Sequence, residues 1–209
     1  MTITAAPSPA IGFATRFLDE IAAIAARLDT AAVERIAHRL ARVRTEHGRV
    51  FLLGVGGGAG NATHAVCDLR NLAGLEAYSP TDNTATLTAA INDRGWTDAI
   101  AEWLERSRLG TRDAVVIFSV GGGSVEPPVS ENLVAALRLA RATGAYTCGV
   151  VGPDGGETAR LADDCVKVPV EDRSLRTTHT EIYQAVVWHM LVVHPALRST
   201  TPTWESLRP

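Results

Sequence analysis

Apolar positions along the chain follow two alternating rhythms. Between residues 13 and 46 they recur at helical spacing: Phe17, Ile21, Ile24, Ala25 and Leu28 predict a helix over 13–28, and Val33, Ile36, Leu40 and Val43 a second over 31–46. Asp29 and Thr30 supply the break and cap between them. Residues 50–55 are a short, unbroken apolar run, as a strand buried on both faces shows. Gly54, Gly56, Gly57, Gly58 and Gly60 then free the backbone for a tight turn into another helix. The alternation continues with a strand near 75–79 and helices over 84–91 and 97–108, separated by the polar 92–95. A strand over 114–120 runs into glycines 121–123, and a helix over 132–143 and a strand over 145–151 follow. The turn 152–157 with a short helix, a strand over 165–170 and a helix over 179–193 complete the pattern. Such alternation predicts an α/β fold, doubly wound around a mostly parallel sheet of about five strands. The two leading helices are amphipathic, so each must bury its stripe against the sheet or another copy of the chain. Residues 1–10, rich in Ala, Pro, Ser and Thr, read as a flexible arm ahead of one domain over 11–209, with leading helices at 11–47 and a sheet core at 50–195.

Composition narrows this picture. At 209 residues and 46% hydrophobic the chain can bury one sizeable core. A net charge of −3 and the absence of a basic run argue against a nucleic-acid partner. Cys67, Cys148 and Cys165 are odd in number, widely spaced and set in apolar sequence, so they read as reduced core cysteines of a cytoplasmic protein. No basic region precedes a long apolar core at the N-terminus and no apolar run reaches eighteen residues, so neither export nor membrane spanning is expected.

The candidate chemistry gathers around one device used twice, LLGVGGG at 52–58 and IFSVGGG at 117–123: a strand delivering a glycine loop at its carboxyl end. Loops of this kind turn N–H groups toward an anion, and two of them suit a phosphorylated ligand. Ser119 and Ser124 bracket the second loop and offer hydroxyls to phosphate oxygens, although a plain tight turn reads equally well. His64 and Asp68 share one helical face, and Glu181 and His189 lie eight apart on the last helix. Two histidines and two carboxylates suit zinc or another borderline divalent ion. The alternative is that Trp188 and His189 pack into the core and Glu181 is merely solvated. His179 and His194 rival them as ligands, while His38 and His47 read as surface helix residues. Asn92 and Asp93 either touch sugar hydroxyls or simply end a helix. There is no phosphate-loop lysine motif, and the glycine spacing is not that of a dinucleotide fingerprint.

With these residues in hand, the chain resembles the sugar isomerase (SIS) domain family, and within it the sedoheptulose 7-phosphate isomerases, over nearly its whole length. The marks are GVGGGAGNATH at 54–64 with Asp68, Asn92 and Asp93 followed by Gly95, SVGGGS at 119–124, GPDGG at 152–156, and Glu181 with His189. The resemblance implies a three-layer α/β sandwich assembled as a homotetramer, with active sites at subunit interfaces. It implies that Gly57, Gly58, Asn92 and Asp93 line a phosphorylated heptose, and that Ser119, Val120, Gly121 and Ser124 hold its phosphate. One zinc ion per subunit would be held by His64, Asp68, Glu181 and His189. The implied reaction is aldose–ketose isomerisation through an enediol. Asp68 moves a proton between C1 and C2, with Glu181 as the alternative base, and His189 exchanges protons with substrate oxygens. The chain departs from the family in having Gly58 for a serine, Val120 and Gly121 for hydroxyl residues, Asp68 for a glutamate and Glu181 for a glutamine. Two carboxylates with two neutral histidines would cancel a divalent ion's charge and weaken its pull on the substrate. A non-catalytic module that senses sugar phosphates or binds protein is the competing reading. The thinned phosphate loop favours it and retention of all four ligand-type residues opposes it.

Overall fold

A computed structural model describes residues 12–200, so the arm expected over 1–10 lies outside the described residues. Helices α1 (Phe13–Arg27) and α2 (Thr30–Thr45) lead the chain, and the Asp29 side chain caps α2 by accepting from the Ala32 N–H. Then come β1 (Arg49–Gly54), α3 (Gly57–Ala73), β2 (Glu76–Tyr78), α4 (Thr84–Arg106) and β3 (Ala114–Ser119). They are followed by α5 (Glu131–Thr143), β4 (Tyr146–Val151), α6 (Gly156–Leu161), β5 (Asp164–Lys167) and α7 (Arg176–Val193).

The strands form one sheet in the order β2-β1-β3-β4-β5. Every pairing in it is parallel, where the sequence predicted a mostly parallel sheet. Period-two alternation splits β1 between two cores: Val50 and Leu52 pack under α1, α2, α3 and α7, while Phe51 and Leu53 pack under α4 and α5. Helices thus cover both faces and make three layers. That is why β1, β3 and β4 read as unbroken apolar runs. Each fully buried side chain such as Leu53, Ile117 or Leu137 contributes roughly 1.5–3 kcal/mol by leaving water.

Several expectations shift. The helices predicted over 84–91 and 97–108 form α4, broken only at Gly95 (φ 78°, ψ 168°). The last strand is shorter than predicted, at Asp164–Lys167, and the last helix starts earlier, at Arg176. The stripe expected on α1 is thin: Ile24 alone is buried, Ala25 is exposed, and Phe13 and Leu18 are each 64% exposed. Polar ties hold this helix in place. Arg27 pairs with Glu171 at 2.6 Å, and the Tyr183 hydroxyl donates to the Ile21 carbonyl. The three cysteines are free as expected, but Cys67 is not a core residue; it lies exposed on the outer face of α3, while Cys148 is buried and Cys165 half-buried. Among the described residues no helix is long and apolar enough to cross a membrane.

The chain winds from β1 out to β2 on one side and returns to place β3 on the other. The carboxyl ends of β1 and β3 therefore flank a point where strand order reverses, the crevice in which open α/β sheets take ligands.

Candidate active site

Both glycine loops open into that crevice. Gly54 pairs in register with Phe118, so the loops after β1 and β3 emerge side by side. In the first loop Gly56 (φ 60°) turns the chain into α3. A Cβ at Gly57 would fall inside contact distance of the Glu181 carboxylate, and one at buried Gly58 would strike the Phe118 carbonyl. The serine that the resemblance leads one to expect at position 58 has no room here.

The second loop is braced from within. The buried Ser119 hydroxyl accepts the Gly122 N–H at 3.1 Å, and Gly122 and Gly123 take positive φ. From α6, the Thr158 hydroxyl donates to the Gly122 carbonyl at 2.8 Å and the Glu157 N–H to the Gly123 carbonyl at 2.8 Å. Gly152 donates its N–H to the half-buried Val120 carbonyl at 2.9 Å. Ser119 therefore spends its oxygen shaping the loop. Gly121 is exposed, and Ser124 is half-buried with its hydroxyl unpartnered among the described residues.

Farther along α3 and α7, which pack against each other, the structure brings together His64, Asp68 and His189. Their ligand atoms all lie within 4.8 Å of one another. The His64 Nε2 to Asp68 Oδ2 distance of 4.0 Å is too long for a hydrogen bond. His189 Nδ1 faces the Ala185 carbonyl at 2.7 Å and must donate to it, which leaves the lone pair on Nε2. The buried Trp188 ring presses on both imidazoles, at 4.5 Å from His64 and 3.4 Å from His189 between ring centres. Two imidazoles on exposed residues and one half-buried carboxylate form a three-ligand set of the kind that leaves an open position on zinc.

Glu181 is not in this group. It lies two helical turns before His189, about 12 Å along the helix axis, with its carboxylate against Gly57. Asn92 and Asp93 are exposed on α4, and the Asn92 amide donates to Asp93 at 3.0 Å; the described residues do not bring them to the loops. The rival histidines are engaged elsewhere: His179 with Glu20 and His194 with Glu34, each at 2.9 Å. His38 is on the surface of α2 as expected, but His47 sits in the turn after it with φ 54°.

Sequence reasoning passed over three groups beside these residues. The Asn61 amide donates to the Glu181 carbonyl and the Gln184 side chain, both at 3.0 Å, and so fixes the offset of α3 against α7. The Thr180 hydroxyl is buried without a partner next to Gly152. Ser79, Thr81 and Thr63 form a hydroxyl chain with links of 2.9 and 3.0 Å. Only Asn61 carried a signal, a polar residue on the inward face of a glycine-led helix.

No family model matches the chain. It is 31% identical over 183 residues to a phosphoheptose isomerase of Solidesulfovibrio magneticus, which covers 84% of each protein. A lincomycin biosynthesis protein of Streptomyces lincolnensis, LmbN, is 33% identical over 156 residues, covering 70% of this chain and 55% of that protein. Among solved structures, a phosphoheptose isomerase from Neisseria gonorrhoeae shares the fold with a TM-score of 0.73, over 86% of this chain and 94% of that one, at 22% identity.

Proposed function

The chain belongs to the phosphoheptose isomerase family, and from that premise we propose that it interconverts sedoheptulose 7-phosphate and an aldoheptose 7-phosphate through an enediol. The meeting of His64, Asp68 and His189 on α3 and α7 is the observation that carries the reading. The phosphate binds at the second glycine loop through Ser124 and the backbone N–H groups around Gly121, with Ser119 and Val120 holding the loop's shape. The sugar runs past Gly57, Gly58 and Glu181 toward the histidines, a span of about two helical turns that suits an extended seven-carbon chain.

Asp68 takes the proton from one of the two carbons at the carbonyl end and returns it to the other. Glu181, the alternative base, sits about two helical turns back beside the first glycine loop, so in this pose it contacts the sugar midway and Asp68 carries the proton. His64, Asp68 and His189 fit a divalent ion such as zinc, which when bound would act as a Lewis acid on the substrate oxygens. With Glu181 apart from the set, one carboxylate faces two neutral imidazoles, so such an ion would keep a net positive charge. The Nε2 lone pair of His189 serves either as a ligand or as a proton acceptor, so with an ion in place proton traffic would fall to the Asp68 oxygen that the ion leaves free.

The chain assembles with copies of itself as a homotetramer. Exposed Phe13, Leu18, Val186 and Val193 support this, as does the outward position of Asn92 and Asp93, which would contact the sugar of a neighbouring subunit. The test pairs metal analysis with turnover. About one zinc per chain is expected in the wild type, and Asp68→Asn or His189→Ala should lose at least a hundredfold in kcat while sugar-phosphate binding stays within a few-fold. Full turnover in either variant would reject the assignment.

A further inference from the structure

At the opposite end of the strands from the glycine loops, where β3 and β4 begin, a cavity of about 300 Å³ opens between α2, the turn before β3 and the end of α5. Four arginines line it: Arg39 and Arg42 from α2, Arg112 from the turn, and Arg141 from α5. No basic run announces this cluster, because three separate segments supply it.

The carboxylates in its wall are already engaged. Glu46 pairs with Arg42 at 2.6 Å. Asp113 accepts from the Arg49 guanidinium at 2.8 Å and from the Gly110 N–H at 2.9 Å. Asp163 accepts from the N–H and hydroxyl of Thr147, both at 2.8 Å. Arg141 donates to the Leu161 carbonyl and stands 3.8 Å from Asp163. Arg39 lies with its guanidinium 5.0 Å from the Tyr146 ring centre, and Arg112 reaches the Glu46 carbonyl at 3.4 Å. Neither has an acidic partner among the described residues.

Guanidinium forks match phosphate oxygens two at a time, and stacking on an aromatic ring pre-orients one without using its N–H groups. The volume lies at the small end of metabolite sites. We propose that this cavity is a second anion site, which takes a small phosphorylated metabolite with Arg39 and Arg112 gripping its phosphate. The six residues of β3 put it about 20 Å from the glycine loops, so its ligand does not compete with one bound there.

Equilibrium titration with inorganic phosphate at constant ionic strength, comparing the wild type with Arg39→Gln/Arg112→Gln, tests this. Any binding at the glycine loops is common to both proteins and cancels in the comparison, so the outcome does not depend on the isomerase reading. The double variant is expected to bind one phosphate fewer per chain, or to bind that phosphate at least tenfold more weakly. Arg112→Gln alone, on an exposed turn, should weaken it several-fold and leave the fold intact. Phosphate binding of equal number and strength in the wild type and both variants would overturn the proposal.

Discussion

Gly57 illustrates how tightly single residues constrain this site. Its hydrogen faces the Glu181 carboxylate where a methyl group would collide. Gly57→Ala should displace that carboxylate from its place beside the sugar and lower kcat/KM several-fold or more, since misplacing a positioning contact by about 1 Å is costly, while the exposed position leaves the melting temperature little changed. Steady-state kinetics alongside a thermal melt checks both parts. The cysteines separate in the same way. Exposed Cys67 should react with a thiol reagent in the native protein, while buried Cys148 and half-buried Cys165 react only after unfolding, giving one fast thiol per chain. Burial raises the Cys148 thiol and pushes Cys165 up to about 11. A raised acid contributes stability that is full below the unfolded thiol value, near 8.5, and is lost as pH rises through the folded one. Stability should therefore decline between about pH 8.5 and 11, and Cys165→Ser should flatten that decline. Residue types and spacings were legible in the sequence at this scale. The station of Glu181 against Gly57 was not, because it depends on the offset of α3 against α7, which Asn61 fixes across 120 positions of chain.

The elements themselves were largely legible, since β1, β3 and β4 are buried apolar runs and α2, α3, α4 and α5 carry a capping or terminating residue. Gly74 and Gly144 close α3 and α5 in the left-handed conformation, as a terminal glycine is expected to. Boundaries moved where tertiary contacts outweighed local pattern: α7 gains a first turn before His179, with Arg176 tied to Asp154 at 2.7 Å. The break in α4 is the sharpest case. At φ 78° and ψ 168°, Gly95 occupies a region that side chains other than glycine's hydrogen rarely permit. Gly95→Ala is expected to destabilise the fold by about 1–3 kcal/mol, read as a lower denaturant midpoint at unchanged slope. Equal stability would mean the two halves of α4 can join without the break.

For the whole molecule, parallel winding and the reversal of strand order account for where the chemistry sits. They set two glycine loops side by side at the carboxyl ends of the strands and leave an arginine-lined cavity at the amino ends. The first consequence could be read from two repeated strand-and-glycine segments; the second could not, because its arginines meet only once α2, β3 and α5 are packed. The sparsely buried α1 and the apolar residues left exposed on α1 and α7 belong to this scale too, and the proposed homotetramer would cover them. The most direct test of the isomerase assignment is NMR of sedoheptulose 7-phosphate incubated with the zinc-supplemented protein in deuterium oxide. A new aldose anomeric signal is expected, with deuterium entering at C2 to the extent that the proton held on Asp68 exchanges with solvent before it is returned. A ketose that stays unchanged for hours, with no deuterium at C1 or C2, would contradict it.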